Sequence, residues 1–188
     1  DVQKETEDAS VITFDIPEEL HEAFKFRQGQ HLILRRFFNG QEERRTYSLC
    51  SSPTDNIWKV AVKQIPEGVF STYVNSELKA GQALDILPPT GDFGVPISKT
   101  PKNYVAFVAG SGITPVLSML QSHLANEPES TFKLFYLNRQ AQTIMFKEEI
   151  EQLRNRYLGR LEVYYFLSRE HRDIELFDGR FTKEKIDA

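Results

Sequence analysis

The chain has 188 residues, 40% of them hydrophobic, enough to bury a core as one large domain or two small ones. Its formal net charge is −4 with no Lys/Arg-rich block, so neither a nucleic-acid backbone nor an anionic membrane meets an obvious docking surface. The single cysteine, Cys50, excludes an internal disulfide, a Cys-ligated zinc site and an iron–sulfur cluster held by this chain alone.

No stretch approaches the ~20 apolar residues of a spanning helix, and the amino terminus carries mixed charges where a signal would be basic and then apolar. The expectation is a soluble, cytoplasmic protein. From Val11 to about Leu87 the apolar residues come in short runs: Val11–Phe14, His31–Leu34, Trp58–Val62 and Leu84–Leu87, separated by Gly, Pro, Asn and Asp clusters. That pattern predicts an antiparallel barrel or sandwich. Asn39-Gly40 is a hairpin signal, and Ser52-Pro53-Thr54-Asp55-Asn56 is a second turn. Val69 to Leu78 breaks the strand rhythm, with Phe70, Tyr73, Val74 and Leu78 at helical spacing, which predicts one helix capping the barrel. Pro88 to Pro96 reads as a rigid, turn-rich connector, and the pattern changes after Lys102. The expected division is residues 1–100 and 101–188.

The second half alternates strand and helix. Tyr104–Ala109 and Phe132–Leu137 read as buried strands, Leu161–Leu167 as a third, with helices over Pro115–Asn126 and Phe146–Tyr157 between them. This order predicts a parallel sheet.

Five segments could carry chemistry. Gly110-Ser111-Gly112-Ile113-Thr114-Pro115 lies between strand and helix, with Thr114 suited to cap the helix and Pro115 to its first turn. Free N–H groups at such a start attract phosphate, although an ordinary tight turn uses the same residues. Asn138-Arg139 and Ser168-Arg169 close two strands at the carboxyl edge where open α/β sheets bind ligands. No acidic residue closes the second strand to grip a ribose hydroxyl, so the arginines favour NADPH over NADH; taken singly, each is an ordinary surface arginine. Arg44 to Ser51 is a strand in which alternation places Arg45, Tyr47 and Leu49 on one face and Thr46 and Ser48 on the other. Arginine pairs with phosphate and tyrosine offers a stacking plane, while an exposed polar edge strand would look the same. Glu67-Gly68-Val69-Phe70-Ser71-Thr72 is a second glycine leading into a helix, where Ser71 or Thr72 serves either as an N-cap or as a pyrophosphate donor. His21, His31, His123 and His171 lack metal-ligand spacing, Glu148-Glu149-Ile150-Glu151 is a solvated helix face, and Cys50 is a buried small apolar residue.

In order and spacing, Arg45-Thr46-Tyr47-Ser48, Gly68-Val69-Phe70-Ser71, Pro89-Thr90-Gly91-Asp92-Phe93 and Gly110-Ser111-Gly112-Ile113-Thr114-Pro115 resemble the signatures of the ferredoxin–NADP reductase family. Tyr136-Leu137-Asn138-Arg139 and Leu167-Ser168-Arg169 extend the match over nearly the whole chain. The resemblance implies an FAD-binding barrel followed by a Rossmann-like NAD(P)H-binding domain, incomplete at its carboxy terminus. It implies that Tyr47 stacks on the isoalloxazine, that Ser48 sits near flavin N5, that Arg45 and Ser71 hold the pyrophosphate, and that Lys63, Gly68, Val69, Phe70 and Thr72 lie close by. Gly110, Ser111, Gly112 and Thr114, with Asn138, Arg139, Ser168 and Arg169, would hold the nicotinamide nucleotide. Hydride would then pass to the flavin near Ser48 and Thr114.

Two departures from the family pattern are Gln28, where Pro usually precedes Gly29-Gln30, and Glu67, where a second glycine often precedes Gly68. A third is the end of the chain at Ala188, where the family continues through further strands and a Cys-Gly-Pro segment. Members most like this one add a plant-type ferredoxin domain holding a 2Fe-2S cluster. The sequence is therefore expected to be a fragment of a protein that passes electrons to an oxygenase, one of phenylacetate degradation. Other readings on the same scaffold are the reductase of another oxygenase or of a flavohaemoglobin, and an FAD-holding module without nicotinamide turnover.

Overall fold

Leu32 and Leu34 alternate along one strand and are fully buried, and this strand organises the first half of the chain. The computed structural model describes residues 1–170, 177–182 and 185; His171 lies outside them. Strands β1 (Val2–Thr6), β2 (Ala9–Phe14) and β5 (Trp58–Lys63) form one antiparallel sheet in the order β1-β2-β5. Strands β3 (His31–Phe38), β4 (Gln41–Ser48) and β6 (Asp85–Thr90) form a second in the order β4-β3-β6. An antiparallel bridge between Leu49 and Val60 joins them, giving the expected barrel-like arrangement. Helix α1 (Val69–Ser76) sends Phe70, Tyr73 and Val74 into the core with Ile12, Leu32, Leu34, Leu49, Trp58, Val60 and Val62.

The predicted hairpin turn is present: β3 and β4 pair to Phe38–Gln41, leaving Asn39 (φ 50°) and Gly40 (φ 81°) as a two-residue loop with both residues left-handed. Two expectations are corrected. Val2–Thr6 forms a strand that the apolar-run pattern missed because it reads Val-Gln-Lys-Glu-Thr and half of it faces solvent. Pro88-Pro89 belongs to β6 rather than to the connector. Because β6 pairs only with β3, its prolines sit at a sheet edge where the missing N–H groups cost no ladder bond. The connector itself is clamped: Gln28 Nε2 donates to Val95 O at 2.7 Å, and a Cβ on Gly94 would lie 1.9 Å from Gln28 O. Gln28 thus has its own role in place of the family's proline.

The second half contains strands β7 (Asn103–Ala109), β8 (Thr131–Asn138) and β9 (Leu161–Leu167), all parallel in the order β7-β8-β9. Helices α2 (Ile113–Asn126) and α3 (Lys147–Arg156) connect them. The chain divides into two units by internal contacts, Asp1–Pro96 with Thr114–Ser122, and Ile97–Ile113 with His123–Ala188. The apolar runs predict strands buried on both sides. Instead Phe132, Leu134 and Tyr136 are buried on one face of the sheet, whereas Val105 and Phe107 on the other remain about half exposed. There Phe107, Phe135 and Tyr164 stack across the three strands at 4.8 and 4.9 Å.

The base of this sheet is tied by Glu127, which the sequence did not single out. Its carboxylate accepts from Tyr104 Oη at 3.0 Å, Ser130 Oγ at 2.7 Å and the Ser98 N–H at 2.8 Å, and His123 Nδ1 lies 2.7 Å away. Burial alone would raise the pKa of this group, but the hydrogen bonds outweigh it and hold the carboxyl at about 2. A folded pKa below the ordinary 4.5 makes this stabilisation complete above that pH and progressively lost as the pH falls towards 2. Glu127→Gln, which sets an amide N–H against buried donors in place of one carboxylate oxygen, is expected to lower unfolding free energy by about 2 kcal/mol and to flatten the acid limb of stability. Urea unfolding followed between pH 3 and 7 reads both effects.

Candidate functional site

In the β3–β4 ladder, Leu32 stands opposite Tyr47, Leu34 opposite Arg45 and Arg36 opposite Glu43. Residues directly opposite share a face, so Tyr47, Arg45, Glu43 and Arg36 all project to the side on which Leu32 and Leu34 enter the core. Alternation predicted this for Arg45, Tyr47 and Leu49. Tyr47 is half-buried, with its ring 6.0 Å from that of Phe70 at the start of α1. Burial pushes its hydroxyl up to about 12, against the lowering effect of the Arg45 charge. Arg45 pairs with Glu43 at 2.7 Å and donates to Arg44 O. Ser48 falls on the opposite alternation, beside His31 in the ladder, and its hydroxyl has no partner among the described residues.

Helix α1 starts at Val69, with Gly68 as the N-cap. Ser71 is the third helical residue instead of the cap: its hydroxyl donates to Gly68 O at 3.1 Å and accepts from the Ile65 N–H at 3.2 Å. This bends the Ile65–Gly68 segment over the helix end and leaves the first main-chain N–H groups, those of Val69, Phe70 and Ser71, beyond the reach of intrahelical acceptors. Thr72 lies one residue further on, accepting from Gln64 Nε2 at 3.4 Å, and Lys63 at the end of β5 pairs with Asp8 at 3.2 Å. Glu67, in the family's glycine position, is left-handed at φ 61°. The turn therefore has the conformation for which glycine is the relaxed choice.

In the second unit Gly110 is left-handed at φ 50°, and a Cβ there would meet nothing within 4 Å. Gly112 has an ordinary φ of −61°, and a Cβ would touch only Val108, at 3.8 Å. Backbone conformation thus explains the first glycine but not the second. Open space at Gly112 is what a closely approaching ligand requires. The Gly110–Gly112 segment winds one tight turn and the Ile113 N–H bonds back to Gly110 O and Ser111 O, so Gly112 takes the cap position. Thr114 is then a buried residue inside α2 and not its cap, a correction caused by that extra turn. Tyr136 Oη donates to Gly110 O at 3.0 Å and holds the loop against β8.

The two carboxyl-edge segments adjoin as expected. The Ser168 N–H donates to Asn138 O and the Arg169 N–H to Arg139 O, each at 2.9 Å. Both arginine side chains are exposed, Asn138 is buried, and among the described residues its Nδ2 has no hydrogen-bond partner. Cys50 is buried with its thiol directed at Lys59 O, and His21 Nε2 lies 2.8 Å from Ile16 O. Among the described residues no three His, Cys, Asp or Glu side chains are arranged to hold a metal ion, and no helix is long and apolar enough to cross a membrane.

Arg36 and Glu43 were missed as members of the strand face, although the alternation Leu32, Leu34, Arg36 was a usable signal. A Cβ on Gly68 would lie 2.5 Å from Ser71 Oγ and 2.5 Å from Ile65 Cγ1. Gly68→Ala is therefore expected to displace Ser71 from both hydrogen bonds and cost about 1–2 kcal/mol in thermal or urea unfolding.

A family profile described as an oxidoreductase FAD-binding domain matches residues 1–94, and one described as an oxidoreductase NAD-binding domain matches residues 107–188. The chain is 42% identical over 188 residues to a component of the 1,2-phenylacetyl-CoA epoxidase of Escherichia coli (strain K12), covering 100% of this chain and 53% of that protein. It is 40% identical over 172 residues to the ferredoxin reductase component of the 3-ketosteroid-9-alpha-monooxygenase of Rhodococcus rhodochrous, covering 88% and 47%. A ferredoxin NADP+ reductase from Neisseria gonorrhoeae, solved with bound FAD and NADP, superposes with a TM-score of 0.79 over 99% of this chain and 72% of that one. At 19% identity that likeness is one of fold. The chain spans about half the length of the two curated relatives.

Proposed function

Because the chain belongs to the family of oxidoreductases that join an FAD-binding domain to an NAD-binding domain, we propose that it is the part of an NAD(P)H oxidoreductase in which hydride moves from the nicotinamide onto FAD. The observation that carries this reading is the face of β4 that bears Arg45 and Tyr47, with the Tyr47 ring 6.0 Å from that of Phe70 in the first turn of α1. Residues 1–100 hold the flavin and residues 101–188 the nicotinamide nucleotide.

The residues present fit a flavin dinucleotide. Tyr47 offers a flat ring already desolvated on its Phe70 side, so a second ring stacks on it with little further loss of hydration. Ser48, with an unengaged hydroxyl, can donate a hydrogen bond to the reacting edge of the flavin. Arg45 and the first N–H groups of α1 present positive charge and donors to a pyrophosphate. Ser71, bonded to Gly68 and Ile65, keeps that turn in shape, and Lys63 and Thr72 flank it. When bound, FAD accepts the two electrons of a hydride and releases them singly. The protein orients the two rings and excludes water, and no side chain has to act as a strong acid or base.

In the second unit the Gly110-Ser111-Gly112 turn receives the dinucleotide pyrophosphate, with Thr114 behind it in the first turn of α2. Asn138, Arg139, Ser168 and Arg169 receive the adenosine half, and the two exposed guanidinium groups select the 2′-phosphate of NADPH. Electrons then leave through an iron–sulfur domain outside this chain to an oxygenase component, one of phenylacetate degradation. The oxygenase end of this path is supported by the relative from Escherichia coli and by the ketosteroid monooxygenase reductase.

The purified chain is expected to show flavin absorption bands that bleach faster on anaerobic addition of NADPH than of NADH. A colourless protein that takes up no added FAD would sink the proposal. Arg45→Ala combined with Tyr47→Ala should abolish flavin retention while circular dichroism still reports a folded barrel. Arg139→Ala with Arg169→Ala should weaken NADPH binding by roughly tenfold or more and leave NADH within about twofold, as read by titration of the flavin spectrum.

A further inference from the structure

The Gly110-Ser111-Gly112 turn has no bulky side chain to wedge it in place, so its shape depends on what holds its backbone. β7 ends at Ala109, and the partner of Val108 across the parallel ladder is Tyr136 of β8. Tyr136 is fully buried. Its hydroxyl donates to Gly110 O at 3.0 Å, with Met145 O a weaker acceptor at 3.4 Å. Gly110 O also accepts the Ile113 N–H, so the two lone pairs of this carbonyl are engaged, one by the turn itself and one by the neighbouring strand.

Peptide geometry gives this contact a consequence. A trans peptide sets its C=O and its N–H on opposite sides, so fixing Gly110 O toward β8 directs the N–H of the same Gly110–Ser111 peptide away from the strand. Rotation of that one peptide would exchange the two. Gly110, left-handed at φ 50° and with no atom within 4 Å of a would-be Cβ, offers little resistance of its own. A turn that presents N–H groups attracts an anion, whereas one that presents a carbonyl oxygen repels it.

We infer that Tyr136 is a positioning residue for the nucleotide site. Its hydroxyl touches no ligand and acts through Gly110, keeping the carbonyl inward so that the N–H side of the turn meets a pyrophosphate. Its effect falls on ligands that carry a pyrophosphate, and not on an adenosine phosphate held at the carboxyl edge by Arg139 and Arg169. The inference rests on the nicotinamide-nucleotide reading of this turn and adds to it a residue beyond the ligand's reach.

The test measures binding of NADP+ and of adenosine 2′-phosphate to the purified chain by calorimetry, for the unmodified protein, Tyr136→Phe and Tyr165→Phe. Tyr136→Phe keeps the ring and its packing and removes one oxygen. It should weaken NADP+ by roughly threefold to tenfold and leave adenosine 2′-phosphate within about twofold. Tyr165 is the ladder partner of Tyr136 on β9, with its ring 6.2 Å away and its hydroxyl donating to Glu151 at 3.0 Å. Tyr165→Phe therefore removes a comparable hydrogen bond that does not reach the turn, and should leave both ligands within about twofold. Unchanged NADP+ binding in Tyr136→Phe, equal weakening of both ligands, or the same loss in Tyr165→Phe each overturns the inference. Amide hydrogen exchange on the folded proteins gives a second reading, in which Tyr136→Phe should speed exchange at residues 110–113 only. An increase spread along β8 overturns the positioning role, as does a Tyr136→Phe chain that does not fold, because the hydroxyl would then hold the sheet instead of the turn. An unmodified chain that does not bind NADP+ defeats the proposed nicotinamide site itself.

Discussion

The antiparallel register between β3 and β4 is the constraint on which the first half depends. It is set by the Asn39–Gly40 turn, whose two left-handed residues close a two-residue loop and leave no freedom to slide. A slip of one residue would turn Leu32 and Leu34 to solvent and carry Arg45 and Tyr47 to the outer face. The buried leucines resist that slip, because each loses its hydrophobic burial if it occurs. Core packing and site geometry are therefore the same fact, read from opposite strands of one ladder.

The second unit works differently. Parallel strands bring their carboxyl ends to one edge without a hairpin to guide them, so the ends of β8 and β9 are aligned by main-chain bonds from Ser168 to Asn138 and from Arg169 to Arg139. The opposite edge is pinned by the Glu127 carboxylate, whose donors come from β7, α2 and the loops before β7 and β8. A buried carboxylate that satisfies several donors fixes the amino ends of two strands, and the rigid strands carry that order to the edge where a nucleotide would be held.

Much of this was legible in the residue pattern. The Asn-Gly turn, the helix after Gly68 and the β-α-β-α-β alternation each follow from local chemistry acting within a few residues. The alternation of β4 placed Arg45 and Tyr47 together for the same reason. Two of the misread features depend on partners distant in sequence, and the third on a turn that the residue pattern did not predict. Pro88-Pro89 looks like a breaker until β6 is known to be an edge strand. Thr114 looks like a cap until an extra turn at Gly110–Gly112 takes that place. Glu127 looks like a surface acid at a helix end until β7 and the neighbouring loops close around it.

Periodicity and turn chemistry by themselves determined the antiparallel first half, the parallel second half and the strand faces, because those signals arise from neighbours along the chain. Only the tertiary structure decided which polar groups are satisfied. Ser71 is engaged by its own turn, and Arg45 is answered by Glu43, whereas Arg36 lies over the ring of Tyr73 and pairs with no acid among the described residues. Hydrogen bonds and ion pairs are short-ranged and directional, so their pairing depends on the placement of residues far apart in sequence.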